Sequence, residues 1–277
     1  MATTRELRRR IRSVRTTRQI TRAMELVASS KLRGAIKIAT VSQRYAEGVL
    51  EVLERILSQS EGFQALLLSK NSTGRTLAIA FSSDQGLAGT FHSNNLKACL
   101  LLPATTDYYV IGKRLKASLR RLGRNVLEPS QVLSRTLQSA ELTAVADDVA
   151  RLFESGTYIE AQLISTFYQS ALVQEVRVTQ LLPFNEPAHS YEPLLIEPDI
   201  QVVLEHLLKQ TLRALLVSAA RQTRASEFAI RRTSMHAATE NAGELIERYT
   251  LAYNRARQAA ITTEIAEIVG GASALNR

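Results

Sequence analysis

Apolar and small residues recur at steps of three and four along both ends of the chain. Through the middle they fall in short unbroken runs or alternate with polar ones. Near the N-terminus Leu7, Ile11, Val14, Thr21, Ala28, Leu32 and Ala35 keep one helical register, with Arg18 and Glu25 as polar interruptions. Near the C-terminus Met235, Ala238, Ala242, Leu245, Tyr249, Ala252, Ala256, Ala259, Thr263 and Ala266 do the same. Alternating steps of three and four are the seam spacing of a coiled coil. The helix breakers agree, because all six prolines lie between positions 103 and 198. The first glycine is Gly34, and residues 199–269 hold only Gly243. Interior proline costs a helix about 3 kcal/mol and glycine about 1, so both ends are free to form very long helices. A helix over that C-terminal run would reach about 105 Å at 1.5 Å per residue, too long to be covered by a compact domain. Its stripe needs another helix, and its small residues let two axes approach closely. The pattern predicts an antiparallel pair of the two termini.

The middle predicts a different architecture. Residues 76–84, 107–112, 158–168 and 171–182 read as strands, the last alternating as an edge or antiparallel strand does. Helical stretches at 89–102, 113–122 and 139–155 separate them. Strand and helix in alternation imply an α/β domain with a mostly parallel sheet. The expected organisation is an N-terminal coiled-coil helix over 1–60, an α/β domain over 75–190 and a C-terminal coiled-coil helix over 199–277. Connections fall near 60–74 and 183–198.

Charge changes the picture at one end only. Residues 1–33 carry ten Lys/Arg against two Asp/Glu, a net of +8, while 34–198 sum to −1 and 199–277 to +2. The formal +9 is therefore an N-terminal property and points to an anionic partner. A nucleic-acid arm, an organelle-targeting peptide and a structural helix facing a partner all fit the arginines. The targeting reading suffers because the helical pattern runs on past residue 31 without a processing-like break. Cys99 is the single cysteine, which excludes an internal disulfide, a cysteine zinc cluster and a thiol redox pair. No apolar run approaches the roughly 18 residues of a membrane span, and a soluble intracellular product is expected.

Candidate chemistry is sparse. "SSDQGLAGTFHSN", residues 82–94, follows the first strand and leads into a helix, as phosphate-binding turns do. It lacks both the Gly-Lys-Ser/Thr of a P-loop and the third glycine of a dinucleotide fingerprint. A structural turn is expected, with Asp84 bonding nearby backbone N–H groups. The four histidines share no metal-ligand spacing, and Asp147 and Asp148 read as a solvated helix face. No catalytic, cofactor or metal constellation emerges, which makes the chain a mechanical or binding part.

The segments "IRSVRTTRQITRAMELVASSKLRGA" (11–35) and "ATENAGELIERYTLAYNRARQAAITTEIAEIVGGASAL" (238–275) closely resemble the terminal helices of the gamma subunit of F-type ATP synthase. "SDQGLAG" (83–89) and "VRVTQLLP" (176–183) resemble that family's central-domain signatures. The resemblance implies a Rossmann-like α/β domain from which an antiparallel coiled coil extends as the central stalk. It implies a non-catalytic shaft without cofactors, turning among the alpha and beta subunits and joined to epsilon and to the membrane ring of c subunits. That shaft would couple the proton rotor to ATP synthesis at the cytoplasmic side of a bacterial plasma membrane. Carried over residue by residue, Met24 stands where the shaft touches a catalytic subunit. Arg231, Arg257, Gln258 and Thr262 stand where the family holds or couples to the catalytic ring. Arg232, His236 and Gln85 depart from the usual residues. The arginines then become the shaft's exposed face. A basic helical nucleic-acid-binding protein is the alternative.

Overall fold

The structure is a computed structural model that describes residues 3–58, 65–69, 71, 73–131, 133–134, 136–185, 196–197 and 199–275, with side chains to 269. Parts of both expected connections, including residues 60–64 and 186–195, lie outside the described residues. Ten elements follow in order: α1 (Thr4–Leu57), β1 (Arg75–Phe81), α2 (Phe91–Leu100), β2 (Asp107–Ile111), α3 (Lys113–Arg121), β3 (Val126–Leu127), α4 (Ser139–Glu154), β4 (Tyr158–Tyr168), β5 (Gln174–Leu182) and α5 (Ile200–Leu275). The two terminal helices run 54 and 76 residues, as the absence of breakers permits. By packing, the chain forms two compact units. One joins residues 1–28 to 232–277, and the other holds 29–231, so each terminal helix contributes to both.

Within residues 29–231 the sheet runs β3-β2-β1-β4-β5. β1 pairs in parallel with β2 and β4, β3 pairs in parallel with β2, and β5 returns antiparallel along β4. β1 and β2 are buried along almost their whole length, which explains their unbroken apolar runs, whereas edge strand β5 is exposed over residues 177–180 and buried only at Leu181 and Leu182. The two-residue β3 was too short to show a pattern. One sheet face carries Leu77, Ile79, Phe81, Tyr109 and Leu163 against α4, the second half of α1 (Leu53, Ile56) and the first part of α5 (Leu204, Leu208, Leu212, Leu216). The other carries Ala78, Ala80, Tyr108 and Val110 against α2 and α3 through Cys99, Leu115 and Leu119. Burial pushes the Cys99 thiol up to about 12, so it stays a protonated packing group.

Asp147 and Asp148 divide between the two faces of α4. Asp147 meets Arg213 at 2.8 Å. Asp148 is not solvated as expected but 6 % exposed, accepting bonds from Tyr109 Oη (2.8 Å) and Ser130 N–H (3.0 Å) and pairing with Arg151. Burial raises its pKa, yet the Ser130, Tyr109 and Arg151 contacts outweigh burial and hold the carboxyl below its usual range.

Candidate partner interface on the terminal helices

In the unit formed by residues 1–28 and 232–277, α1 and α5 run antiparallel, and the seam is built from small and hydroxyl-bearing side chains. Leu7, Ile11, Thr21 and Ala28 are buried on α1, in the register that the sequence predicts. On α5 Met235, Thr239 and Ala242 are buried, followed by half-buried Ile246, Tyr249, Tyr253 and Ala256. Every second position thus sits one residue later than expected: Thr239, Ile246 and Tyr253 lead, while Ala238 and Ala252 are half-buried flanks and Leu245 is 36 % exposed. Bonds across the seam account for the shift. Thr239 Oγ1 lies 2.8 Å from Thr21 Oγ1, and Arg8 reaches Tyr253 Oη at 2.6 Å with its guanidinium carbon 5.5 Å from that ring's centre. Arg18, at the polar interruption, lies over Gly243.

Ala259, Thr263 and Ala266 are exposed rather than part of the seam. Helix α1 begins at Thr4, and Arg8 already faces Tyr253, so among the described residues α5 has no antiparallel partner beyond about residue 256. The unaccompanied stretch, 257–275, spans about 28 Å. It bears Arg257, Gln258 and Thr262, all exposed, together with Ile261, Ile265, Ile268 and Val269 at 47–72 % exposure. Thr262 Oγ1 donates to the Gln258 backbone carbonyl at 2.9 Å, one turn back along the helix.

Met24 is half-buried on α1. Beside it opens a groove of about 770 Å³ lined by Arg18, Gln19, Arg22, Ala23, Leu26, His236, Thr239 and Glu240. His236, one of the departures from the family pattern, presents Nδ1 to Glu25 at 3.1 Å and Nε2 to Glu240 at 3.4 Å. Glu25 also pairs with Arg22 at 3.0 Å. The groove is therefore cationic at one end, where Arg18 makes no ion pair among the described residues, and charge-balanced at the other.

Arg231 lies elsewhere. It is 5 % exposed in the second unit, and its guanidinium turns inward. Nη2 contacts Glu227 at 2.6 Å, and Nε and Nη2 donate to the Gly86 carbonyl at 3.3 Å. Glu227, 2 % exposed, also accepts the Ser83 hydroxyl at 2.6 Å and lies 3.4 Å from Arg224. This network fastens the "SDQGLAG" loop to α5, so the residue expected at a partner contact acts first inside the fold. Sequence reasoning missed Glu227 and Ser83, which are 144 residues apart.

The loop itself bears out its structural reading. Asp84 Oδ1 accepts the Lys113 N–H at 2.8 Å, a bond to the next helix rather than within the turn. The protein's own carboxylate thus takes the place an anion would occupy at the N-terminus of α3. Gly112, at φ +131°, lets the strand ends close, since a Cβ there would lie 2.7 Å from the Ser82 carbonyl carbon. Gly86 has Arg114 stacked over it, with a Cβ landing 2.6 Å from Nη2. Gln85, another departure, is exposed and gives its N–H to Ser83 Oγ at 3.0 Å. Among the described residues no group of three or more His, Cys, Asp or Glu could hold a metal ion, and no helix is long and apolar enough to cross a membrane.

Comparison with known proteins places this arrangement. The profile described as ATP synthase matches residues 3–275, nearly the whole chain. Among solved structures, the fold is similar to a chain of the Euglena gracilis mitochondrial ATP synthase assembly of OSCP, F1 and c-ring. That match has 16 % identity and a TM-score of 0.71, covering 98 % of this chain and 94 % of that one. A rotor chain of the same enzyme matches at 16 % identity and TM-score 0.65, covering 93 % and 98 %. A central-stalk and c-ring structure of the Tetrahymena thermophila mitochondrial enzyme matches at 19 % and 0.58, covering 79 % and 99 %. Nothing among these findings supports the nucleic-acid alternative. A match from residue 3 to residue 275 together with this helix pair and sheet has one consequence: the chain belongs to the ATP synthase family, as a gamma subunit.

Proposed function

We propose that the chain is the central-stalk shaft of an F-type ATP synthase and performs no bond chemistry itself. The observation that carries this reading is the family match over residues 3–275. The fold fits the role. A helix pair is a stiff element that turns without breaking covalent or packing continuity, and the C-terminal stretch of α5 past its partner offers a surface to be gripped. Met24 and the groove beside it, with Arg257, Gln258 and Thr262, are the contacts we assign to the alpha and beta subunits. Arg231 serves that interface indirectly, by fixing the loop at Gly86 against α5. The α/β domain is the foot, joined to epsilon and to the c-subunit ring at the cytoplasmic side of a bacterial plasma membrane. Exposed cations on α1 meet acidic partner loops through contacts worth about 0–1 kcal/mol each, weak enough to break and remake as successive partners pass. Differential contact with three catalytic sites then shifts each among its conformations.

Co-purification from membranes tests the reading. Affinity capture of the tagged chain should bring down ATP-hydrolysing subunits in fixed stoichiometry, and Met24→Lys should leave that complex assembled while lowering the ratio of pumping to hydrolysis. Capture of nucleic acid alone refutes it.

A further inference from the structure

A second basic surface lies on the α/β domain, hidden from any whole-segment charge count. Helix α3, "KRLKASLRR", holds five basic residues and no acidic one. Its C-terminal end meets the end of α2 at one corner of the domain, where Arg124 Nη1 donates to the Pro103 carbonyl at 3.1 Å. Three leucines project from this corner: Leu101 at 85 % exposure, Leu122 at 53 % and Leu100 at 41 %. Lys97, one turn before Leu101, and Arg121, beside Leu122, are exposed and have no acidic partner among the described residues. The nearby acids are engaged elsewhere. Glu128 binds Lys116 and Arg120, and buried Asp107 is held by Arg75, Asn125 and Tyr158.

Exposed leucines on loop tips, rimmed by unpaired Lys and Arg, form the pattern of a surface that rests in a lipid headgroup layer. Leu101 and Leu122 each stand just past a helix end, at the C-caps of α2 and α3. Each can sink into an acyl boundary while its cations meet phosphates. We propose that this corner, centred on Leu101 and Leu122 with Lys97 and Arg121, is a contact for an anionic phospholipid surface. The inference goes beyond the stalk reading and stands on the chemistry of the corner alone.

The chain has no tryptophan, so Leu101→Trp places a single reporter at the most exposed tip. The purified full chain carrying it is mixed with phosphatidylglycerol-containing vesicles or with phosphatidylcholine vesicles. Blue-shifted emission, quenched by brominated acyl chains, is expected with the anionic vesicles only. Neutralising two cations in a Lys97→Gln, Arg121→Gln background should weaken the partition roughly fivefold per charge, about 25-fold for the pair. Vesicle pelleting without a shift at position 101 would mean the arginines of α1 do the binding, and overturns the proposal. An equal shift with neutral vesicles overturns its electrostatic half. A shift in lipid-free assembled complex gives the corner to a protein partner and overturns it as well. The vesicle results need only the purified chain and do not depend on capture of the ATP-hydrolysing subunits, so the two readings fail separately.

Discussion

Removing either member of the Glu227–Arg231 pair should destabilise the α/β unit, and by unequal amounts. The side chains are 3 % and 6 % exposed and 2.6 Å apart, the setting in which loss of one partner strands a buried charge at a cost of about 3–5 kcal/mol. Arg231→Met leaves Glu227 with the Ser83 hydroxyl at 2.6 Å and Arg224 at 3.4 Å, so its cost should lie near 3 kcal/mol. Glu227→Leu leaves Arg231 buried with the Gly86 carbonyl as its remaining acceptor among the described residues, and Nη1 is already without one. Its cost should approach 5 kcal/mol. Replacing both, as Glu227→Leu with Arg231→Met, removes the two charges together and should cost far less than the sum of the single variants. Hydrogen exchange of the β1 strand, buried from Thr76 to Phe81, reports the opening of this unit without interference from the helix pair. Single-variant losses below about 1 kcal/mol, a larger loss for Arg231→Met than for Glu227→Leu, or an additive cycle would refute the reasoning.

Three further outcomes follow from the geometry. Gly243→Ala should stabilise the helix pair by about 1 kcal/mol in thermal unfolding, because the added Cβ would sit 3.7 Å from the Arg18 guanidinium carbon, an ordinary contact. Ala242→Leu should cost about 1–3 kcal/mol by overpacking a position 5 % exposed, whereas exposed Ala259→Leu should leave the melting temperature of the isolated chain unchanged. The stability gap between wild type and Asp148→Asn should be full above the ordinary carboxylate range, about pH 4–5. It should narrow as pH falls toward Asp148's lowered folded value, since a depressed carboxyl lends stability only while ionised. A pH-independent gap in urea titrations would contradict that assignment.

Period and breakers made most of the fold legible. The long helices came from the absence of proline, and the sheet from short apolar runs whose burial on both faces the structure shows. What the sequence could not supply was the identity of the opposite side chain. Thr239 ranks below Ala238 on any hydropathy scale, yet it is the buried one because Thr21 stands opposite it. Tyr253 displaces Ala252 from the lead position because Arg8 reaches its hydroxyl. The seam also ends where α1 ends, a fact about the partner helix that periodicity along α5 cannot contain. Asp148 read as solvent-facing and Glu227 went unnoticed for the same reason: an acid on a helix declares itself structural only through partners such as Tyr109 or Ser83, far off in sequence. The contacts carried over by resemblance split accordingly, Arg231 turning inward while Arg257, Gln258 and Thr262 stay exposed.

The two units are held by different physics, and the difference bears on the role. The α/β unit buries large side chains on both sheet faces and adds buried polar fastenings, so its local opening should cost much of its global stability. The helix pair buries Ala28, Thr21, Thr239 and Ala242 at its centre, small groups that offer little apolar area. Its final stretch, 257–275, has no helix beside it among the described residues and leaves four β-branched aliphatic side chains largely exposed. Most helical stability in proteins comes from tertiary packing of an apolar face rather than from propensity. Exposed Ile261, Ile265, Ile268 and Val269 would each favour burial that none of the described residues provides. A shaft that must be gripped by surrounding subunits resolves both features together. The small seam keeps the two axes close, and the apolar surface missing from the seam lies on the end of α5, where a partner's sleeve can cover it.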